Sequence, residues 1–177
     1  LAFAPDGRTL ASSGADSTNV GGSTAAEGNW IAAGLVGVEV DGPTSGTNIN
    51  YNRIGTDVAG TANWGMQANG ILIENSLGGA GPTNIYISSN TVAFSGQSSA
   101  YEAGIAVLGT AGANISISAN SIYSNVGMGI DLGVAGVTAN DAGDADTGPN
   151  QLQNFPVLTL AKTNGSATRS VAGKIRD

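Results

Sequence analysis

The sequence has no cysteine and no histidine among its 177 residues. The first absence excludes disulfide staples and thiolate metal sites, so rigidity has to come from packing, hydrogen bonds or hard cations. The second excludes Ser-His and Cys-His nucleophilic mechanisms. Charge is scarce as well: 11% of residues are charged, with 6 Lys and Arg against 13 Asp and Glu and a formal net charge of −7. The basic residues are Arg8, Arg53, Lys162, Arg169, Lys174 and Arg176. Six cations on an acidic chain do not make a phosphate-binding surface, so nucleic acid is not expected as a partner. No apolar run reaches the roughly 20 residues of a membrane-spanning helix, so membrane insertion is not expected either. The chain opens at Leu1 rather than Met and carries no signal peptide, from which a processed or truncated product is expected, its export signal already removed.

What is present is 28 Gly and an abundance of Asn, Ser and Thr. Such a surface suits stacked strands and turns better than helices, whose exposed faces usually carry Lys and Glu. An acidic, cysteine-free chain of this kind has the profile of bacterial surface proteins, and an extracellular or cell-surface location is expected.

The informative signal is self-similarity. A phrase of Gly, aliphatic, any residue, aliphatic recurs as GVEV at Gly37, GILI at Gly70, GIAV at Gly104 and GIDL at Gly129, at spacings of 33, 34 and 25 residues. Between successive copies lie NIN at Asn48 to Asn50, NIYI at Asn84 to Ile87 and NISI at Asn114 to Ile117. A third phrase follows, NRI at Asn52, NTV at Asn90 and NSI at Asn120, with a partial copy, NWI, at Asn29. Each phrase alternates apolar and polar residues and reads as a short strand with one face to a core. Three strands per repeat make one coil of a solenoid.

Stacking the coils places Val38, Ile71, Ile105 and Ile130 in one internal column and Val40, Ile73, Val107 and Leu132 in the next. Ile31, Ile54, Val92 and Ile122 line another wall. Asn29, Asn52, Asn90 and Asn120 fall at equivalent corners, where they tolerate left-handed backbone and form a structural ladder by hydrogen bonding to the next coil. Four to five coils at about 4.7 Å each give a prism about 20 Å tall. Insertions at a single corner, GTDVAGTANWGMQAN after Ile54 and SGQSSAYEA after Phe94, account for the uneven spacing.

The fold class expected is therefore all-β: a right-handed, single-stranded parallel β-helix with terminal β-hairpins or a partial β-sandwich. Residues 1–16 read as an N-terminal hairpin, cap or donor strand, and residues 17–133 as the helix. Residues 134–154 form an acidic Gly/Asp/Asn loop, and residues 155–177 a C-terminal hairpin around a TNGS turn.

GGSTAAEGN at 21–29, NRIGTDVAGTA at 52–62, SIYSNVGMGIDLG at 121–133 and NDAGDADTGPNQLQNFPVLT at 140–159 resemble the bacterial right-handed parallel β-helix repeat proteins of large secreted and surface polypeptides. The resemblance covers about four-fifths of the chain. It implies that residues 155–177 begin an Ig-like sandwich, since such domains commonly follow the helix in that family. LAFAPDGRTLASSGAD at the front looks like part of a WD-repeat blade; one such fragment makes no propeller and carries no propeller function here.

Chemistry is sparse. Pectinases and polysaccharide lyases share this architecture, but fold alone does not decide function. A lyase needs a base beside cation-binding carboxylates, and the coils offer only Arg53. A hydrolase needs paired carboxylates, yet Glu39 and Asp131 are separated in their column by Leu72 and Ala106, about 14 Å apart. The expectation is that the chain is not an enzyme. Calcium is the cofactor suggested, with Asn140, Asp141, Asp144, Asp146 and Asn150 as ligands in a Gly-punctuated loop of hard oxygen donors; the spacing is not that of an EF-hand, and a solvated acidic turn is the alternative. Trp64 is the aromatic chosen for sugar stacking, whereas Trp30, directly before the inward Ile31, is expected to pack in the core or under a cap.

The function expected is a rigid extracellular scaffold for surface attachment or a matrix. It would self-associate head-to-tail as a filament, residues 8–14 of one subunit completing the strands of residues 155–176 of the next. A carbohydrate-binding adhesin module with glycan partners is the alternative, ahead of a polysaccharide lyase or glycoside hydrolase.

Overall fold

The computed structural model describes residues 2–3, 10–11, 18–76, 78–112, 114–163 and 169–174. Strands follow in threes. β3 (Asn19–Gly21), β4 (Trp30–Ile31) and β5 (Val38–Asp41) make the first coil, and β6 (Asn48–Asn50), β7 (Arg53–Ile54) and β8 (Ile71–Glu74) the second. β9 (Ile85–Ser88), β10 (Thr91–Ala93) and β11 (Ile105–Leu108) make the third, and β12 (Ile115–Ser118), β13 (Ser121–Tyr123) and β14 (Ile130–Gly133) the fourth. Two short hairpins flank them. β1 (Ala2–Phe3) pairs antiparallel with β2 (Leu10–Ala11), and β15 (Val157–Thr163) with β16 (Arg169–Lys174).

Like strands of successive coils pair in parallel, giving three four-stranded sheets ordered β3-β6-β9-β12, β4-β7-β10-β13 and β5-β8-β11-β14. The chain is a parallel β-helix solenoid. Its register follows the aliphatic phrases: Ile71 pairs with Val38 on one side and Ile105 on the other, and Ile105 with Ile130. In the second sheet Ile54 lies between Ile31 and Val92, and Val92 beside Ile122. The first sheet slips against the phrase alignment. Matching the leading Asn of NIN and NIYI would set Ile49 beside Ile85, but the partner of Ile49 is Ile87. A slip of two residues keeps the same side chains on the core face, so the core tolerates it.

Inside the stack Ile49, Ile54, Ile71, Ile73, Ile87, Val92, Ile105 and Val107 are completely buried. The Gly that opens each of the first three phrases is required by close approach. A β-carbon at Gly70 would lie 2.6 Å from the Gly104 carbonyl oxygen and 2.5 Å from Val92 Cγ1, and one at Gly37 2.4 Å from the Gly70 carbonyl oxygen. Gly129, in the last coil, would meet nothing closer than 3.4 Å.

Three expectations are corrected. The uneven repeat length arises at two corners: residues 55–70 and 94–104 join the second sheet to the third, while residues 75–84, also long, join the third to the first. Trp30 is 62% exposed, because strand neighbours alternate faces and an inward Ile31 turns Trp30 outward, level with Arg53. At the last coil the burial inverts. Ile130 is 42% exposed, with no further coil above it, while Asp131 is 2% exposed under the 134–138 loop, whose Gly136 N–H donates to Asp131 Oδ2 at 3.0 Å.

No helix among the described residues is long and apolar enough to cross a membrane. The strand-donating segment 8–14 lies outside the described residues except Leu10–Ala11, which pair with Ala2–Phe3. The TNGS turn lies outside them apart from Thr163.

Candidate functional site

The tight corner between the first and second sheets holds four stacked asparagines. The backbone and side-chain N–H of Asn29 both donate to Asn52 Oδ1, at 3.1 and 2.9 Å. Those of Asn52 donate to Asn90 Oδ1 at 2.9 and 3.0 Å, and those of Asn90 to Asn120 Oδ1 at 2.9 and 3.0 Å. The second hydrogen of each amide reaches a carbonyl: Val20 for Asn52, Ile49 for Asn90 and Ile87 for Asn120, at 2.7 to 2.8 Å. Asn52 and Asn90 are 1% exposed and fully engaged. The left-handed backbone at this corner belongs to the residue before each of the last three asparagines, Tyr51, Ser89 and Ala119, with φ of 61°, 58° and 55°, whereas Gly28 before Asn29 is extended with φ of −70°. That bend aims each amide along the helix axis. The ladder positions coils and carries no reactive group.

The acidic loop that follows β14 brings Asp141, Asp144 and Asp146 together, each contributing a carboxylate oxygen within 4.8 Å of the others. Asp141 Oδ2 accepts the Ala145 N–H at 2.9 Å and Asp144 Oδ1 the Asn154 N–H at 3.1 Å. Asp141 Oδ1 and Asp146 Oδ1 are buried atoms with no hydrogen-bond donor among the described residues. Burial, then the charges of Asp141 and Asp144, hold the Asp146 carboxyl above the usual carboxylate range. Three converging aspartates, two of them with an oxygen that no donor reaches among the described residues, are a hard-oxygen donor set for a cation such as calcium.

Asn140 and Asn150 do not join them. Asn140 exchanges two hydrogen bonds with the backbone of Phe155, at 2.8 and 2.9 Å. Asn150 Oδ1 accepts the Ile115 N–H at 2.9 Å while its Nδ2 donates to the Ile115 carbonyl at 2.6 Å, so this amide pairs with the β12 edge as a strand would. The five-ligand set therefore reduces to three aspartates. Asn154, 5% exposed, organises the loop by accepting the Asp141 N–H and donating to the Asp141 carbonyl, both at 3.0 Å. Nothing in its sequence context singles it out from other asparagines.

A second acidic group escapes sequence reading. Glu39, Asp41 and Glu74 lie within 4.8 Å of one another on the outer face of the third sheet, Asp41 paired with Glu74 across β5 and β8. The register needed to see this was already in the phrases, since Asp41 and Glu74 each follow the last aliphatic residue. Asp41 is tied to Ser76, whose N–H donates to it at 2.8 Å and whose hydroxyl also donates. Burial, then the charges of Glu39 and Asp41, raise the Glu74 carboxyl above its ordinary value of 4.5. A raised pKa means the folded protein binds this proton more tightly. The associated stability is present below pH about 4.5 and is lost as pH rises through the higher folded value. Glu74→Gln is expected to flatten the thermal stability profile in that window; an unchanged profile would exclude the coupling.

Trp64, 46% exposed, sits in the 55–70 insertion, where its N–H donates to the Gly55 carbonyl at 3.0 Å and its carbonyl accepts the Ala33 N–H at 2.9 Å. Nearby, Asp57 closes a turn by accepting the N–H groups of Thr61 and Ala62, at 2.8 and 3.0 Å, and the Ala62 and Thr61 amides hold its carboxyl below the usual range. Asp57 acts here as a turn residue.

A single-chain parallel β-helix with an internal amide ladder and an acidic terminal loop is the class these features define. Comparison with protein-family models, curated proteins and solved structures finds no match.

Proposed function

We infer that this chain is an extracellular structural protein of the bacterial surface type. It is a rigid β-helical scaffold for surface attachment or a matrix, polymerising head-to-tail, and not an enzyme. The observation that carries the reading is the uninterrupted pairing of all four coils through the Asn29–Asn52–Asn90–Asn120 ladder and the aliphatic stack beside it. An axial network of this kind resists local opening and places no nucleophile or base at the surface.

Two further features support assembly. Among the described residues the first coil presents β3, β4 and β5 with a sheet partner on one side only, beside Trp30 at 62% and Leu35 at 70% exposure. In the C-terminal hairpin Val157, Leu158 and Leu160 are 43%, 66% and 45% exposed, an apolar strand suited to a second copy of the chain or to the rest of an Ig-like sandwich. Strand donation would exchange the β1–β2 pairing for an intermolecular one. Calcium bound by Asp141, Asp144 and Asp146 would fix the loop that leads into this hairpin.

Electron microscopy of the purified protein with and without a calcium chelator tests both parts. Regular filaments are expected in calcium, and uniform monomers in both conditions would exclude head-to-tail assembly. Calcium at about a hundredfold above its Kd should add about 2.7 kcal/mol, or about 5–10 °C in Tm for a chain of this size. Asp146→Asn should abolish that increment. No calcium-dependent shift in the unmodified protein would remove the ion from the proposal.

A further inference from the structure

On the outer face of the first sheet, the turn Pro149–Leu152 folds beside β9 and β12 and borders an open groove of about 510 Å³. Its floor is Tyr86, 48% exposed, set in register between Asn48 and Ser116. Its polar lining comes from Asn84, Asn114, Ser116, Gln151 and Gln153, and no charged side chain lines it among the described residues. Asn114 Nδ2 donates to Asn84 Oδ1 at 3.3 Å, which lines up two amides along one rim.

The opposite rim is held under strain. Asn150, Gln151 and Leu152 take φ of 49°, 58° and 50°, three consecutive left-handed residues without a glycine. The Asn150 amide anchors this turn by pairing with both backbone groups of Ile115. Left-handed backbone is uncommon for residues other than Gly, Asn and Asp, and such strain concentrates at binding sites where it aims side chains. Here the left-handed run carries Gln151, which with Gln153 lines the same groove as Tyr86.

We propose that this groove is a binding site for a neutral oligosaccharide, whose apolar ring face stacks on Tyr86 and whose hydroxyls pair with the surrounding side-chain amides. The chemistry is selective. A flat aromatic face matches the C–H face of a pyranose, amides supply both donors and acceptors for hydroxyls, and the lining offers no cation to match a uronate. Trp64 lies in the loop joining the second and third sheets and takes no part. The site stands independently of the scaffold reading, since a monomer or a filament displays it equally.

The test titrates the full chain, isotopically labelled for NMR, with cellohexaose, mannohexaose and hexagalacturonate. A neutral hexasaccharide is expected to shift the amide signals of Tyr86, Asn114, Ser116 and Gln151, and Tyr86→Ala to weaken its binding by about tenfold or more. Gln151→Gly relaxes the left-handed turn and removes one amide; it should leave the unfolding midpoint unchanged or higher while affinity falls severalfold. Tyr86 and Gln151 are both exposed, so neither variant threatens folding. No shift at these residues with either neutral sugar, shifts confined to Trp64, tighter binding of hexagalacturonate, or undiminished binding by Tyr86→Ala would each overturn the proposal.

Discussion

Replacing Asn90 with Leu is expected to destabilise the protein by about 3–5 kcal/mol, more than any exposed substitution. The Asn90 side chain is 1% exposed and makes four hydrogen bonds, accepting from the backbone and side chain of Asn52 and donating to Asn120 and to the Ile49 carbonyl. Leucine has similar volume but pairs with none of these groups, and each buried polar group left alone costs about 1–3 kcal/mol. Some relaxation keeps the total below the sum. Asn120→Leu should cost about half as much, because Asn120 is only partly buried and accepts from one coil instead of lying between two. Denaturant unfolding measures both. Hydrogen exchange adds a local readout: the Asn52 amide, which donates to Asn90 Oδ1 at 2.9 Å, should lose its protection in the Asn90 variant. A loss below about 1 kcal/mol, with that amide still protected, would show that the ladder does not hold the coils together.

The second large effect lies in the neighbouring column. Ile71→Ala should cost about 3–4 kcal/mol, within the range for truncating a fully buried aliphatic side chain. Ile71 is completely buried and paired on both sides, with Val38 and Ile105. Ile130→Ala, the same substitution in the same column two coils on, should cost less than about 1 kcal/mol, since Ile130 is already 42% exposed. Equal losses at the two positions would mean that the last coil is covered in solution. Both are measured by the shift of the unfolding midpoint at constant m-value.

The contrast between Ile71 and Ile130 also shows how far sequence reading carries. Both open phrases of the same pattern after Gly, and the phrase alone puts them in one column, where the structure has them. Burial depends on what lies above and below, and a repeating phrase contains no mark for where the stack ends. The same alternation turns Asp131 outward, and the loop of residues 134–138 closing over it buries it there. The slip of Ile49 onto Ile87 had the same origin, since a period of two fixes the face but not the register.

The candidate site was legible to a similar depth. Three aspartates in a Gly-rich loop announced oxygen donors, but Asn140 and Asn150 were counted with them because sequence proximity does not show where an amide finds its partner. Both spend their hydrogen bonds on distant backbone, at Phe155 and Ile115. Glu39, Asp41 and Glu74 were each visible and were not grouped, since their meeting requires Asp41 and Glu74 to be paired across coils. Tyr86 stood in an outward position of NIYI, with no hint that the turn after Gly148 would come to lie beside it.

The sequence by itself determined the solenoid: three short alternating phrases per repeat, a Gly before one and an Asn before another, admit stacked parallel strands and little else. Those are local and periodic properties, repeated often enough to be read from a single chain. Tertiary structure alone decided which carboxylates meet, where the stack closes and which amides line a groove. Each of these depends on loops of unequal length folding back across coils, and the endpoints of such contacts are set by the whole packed stack.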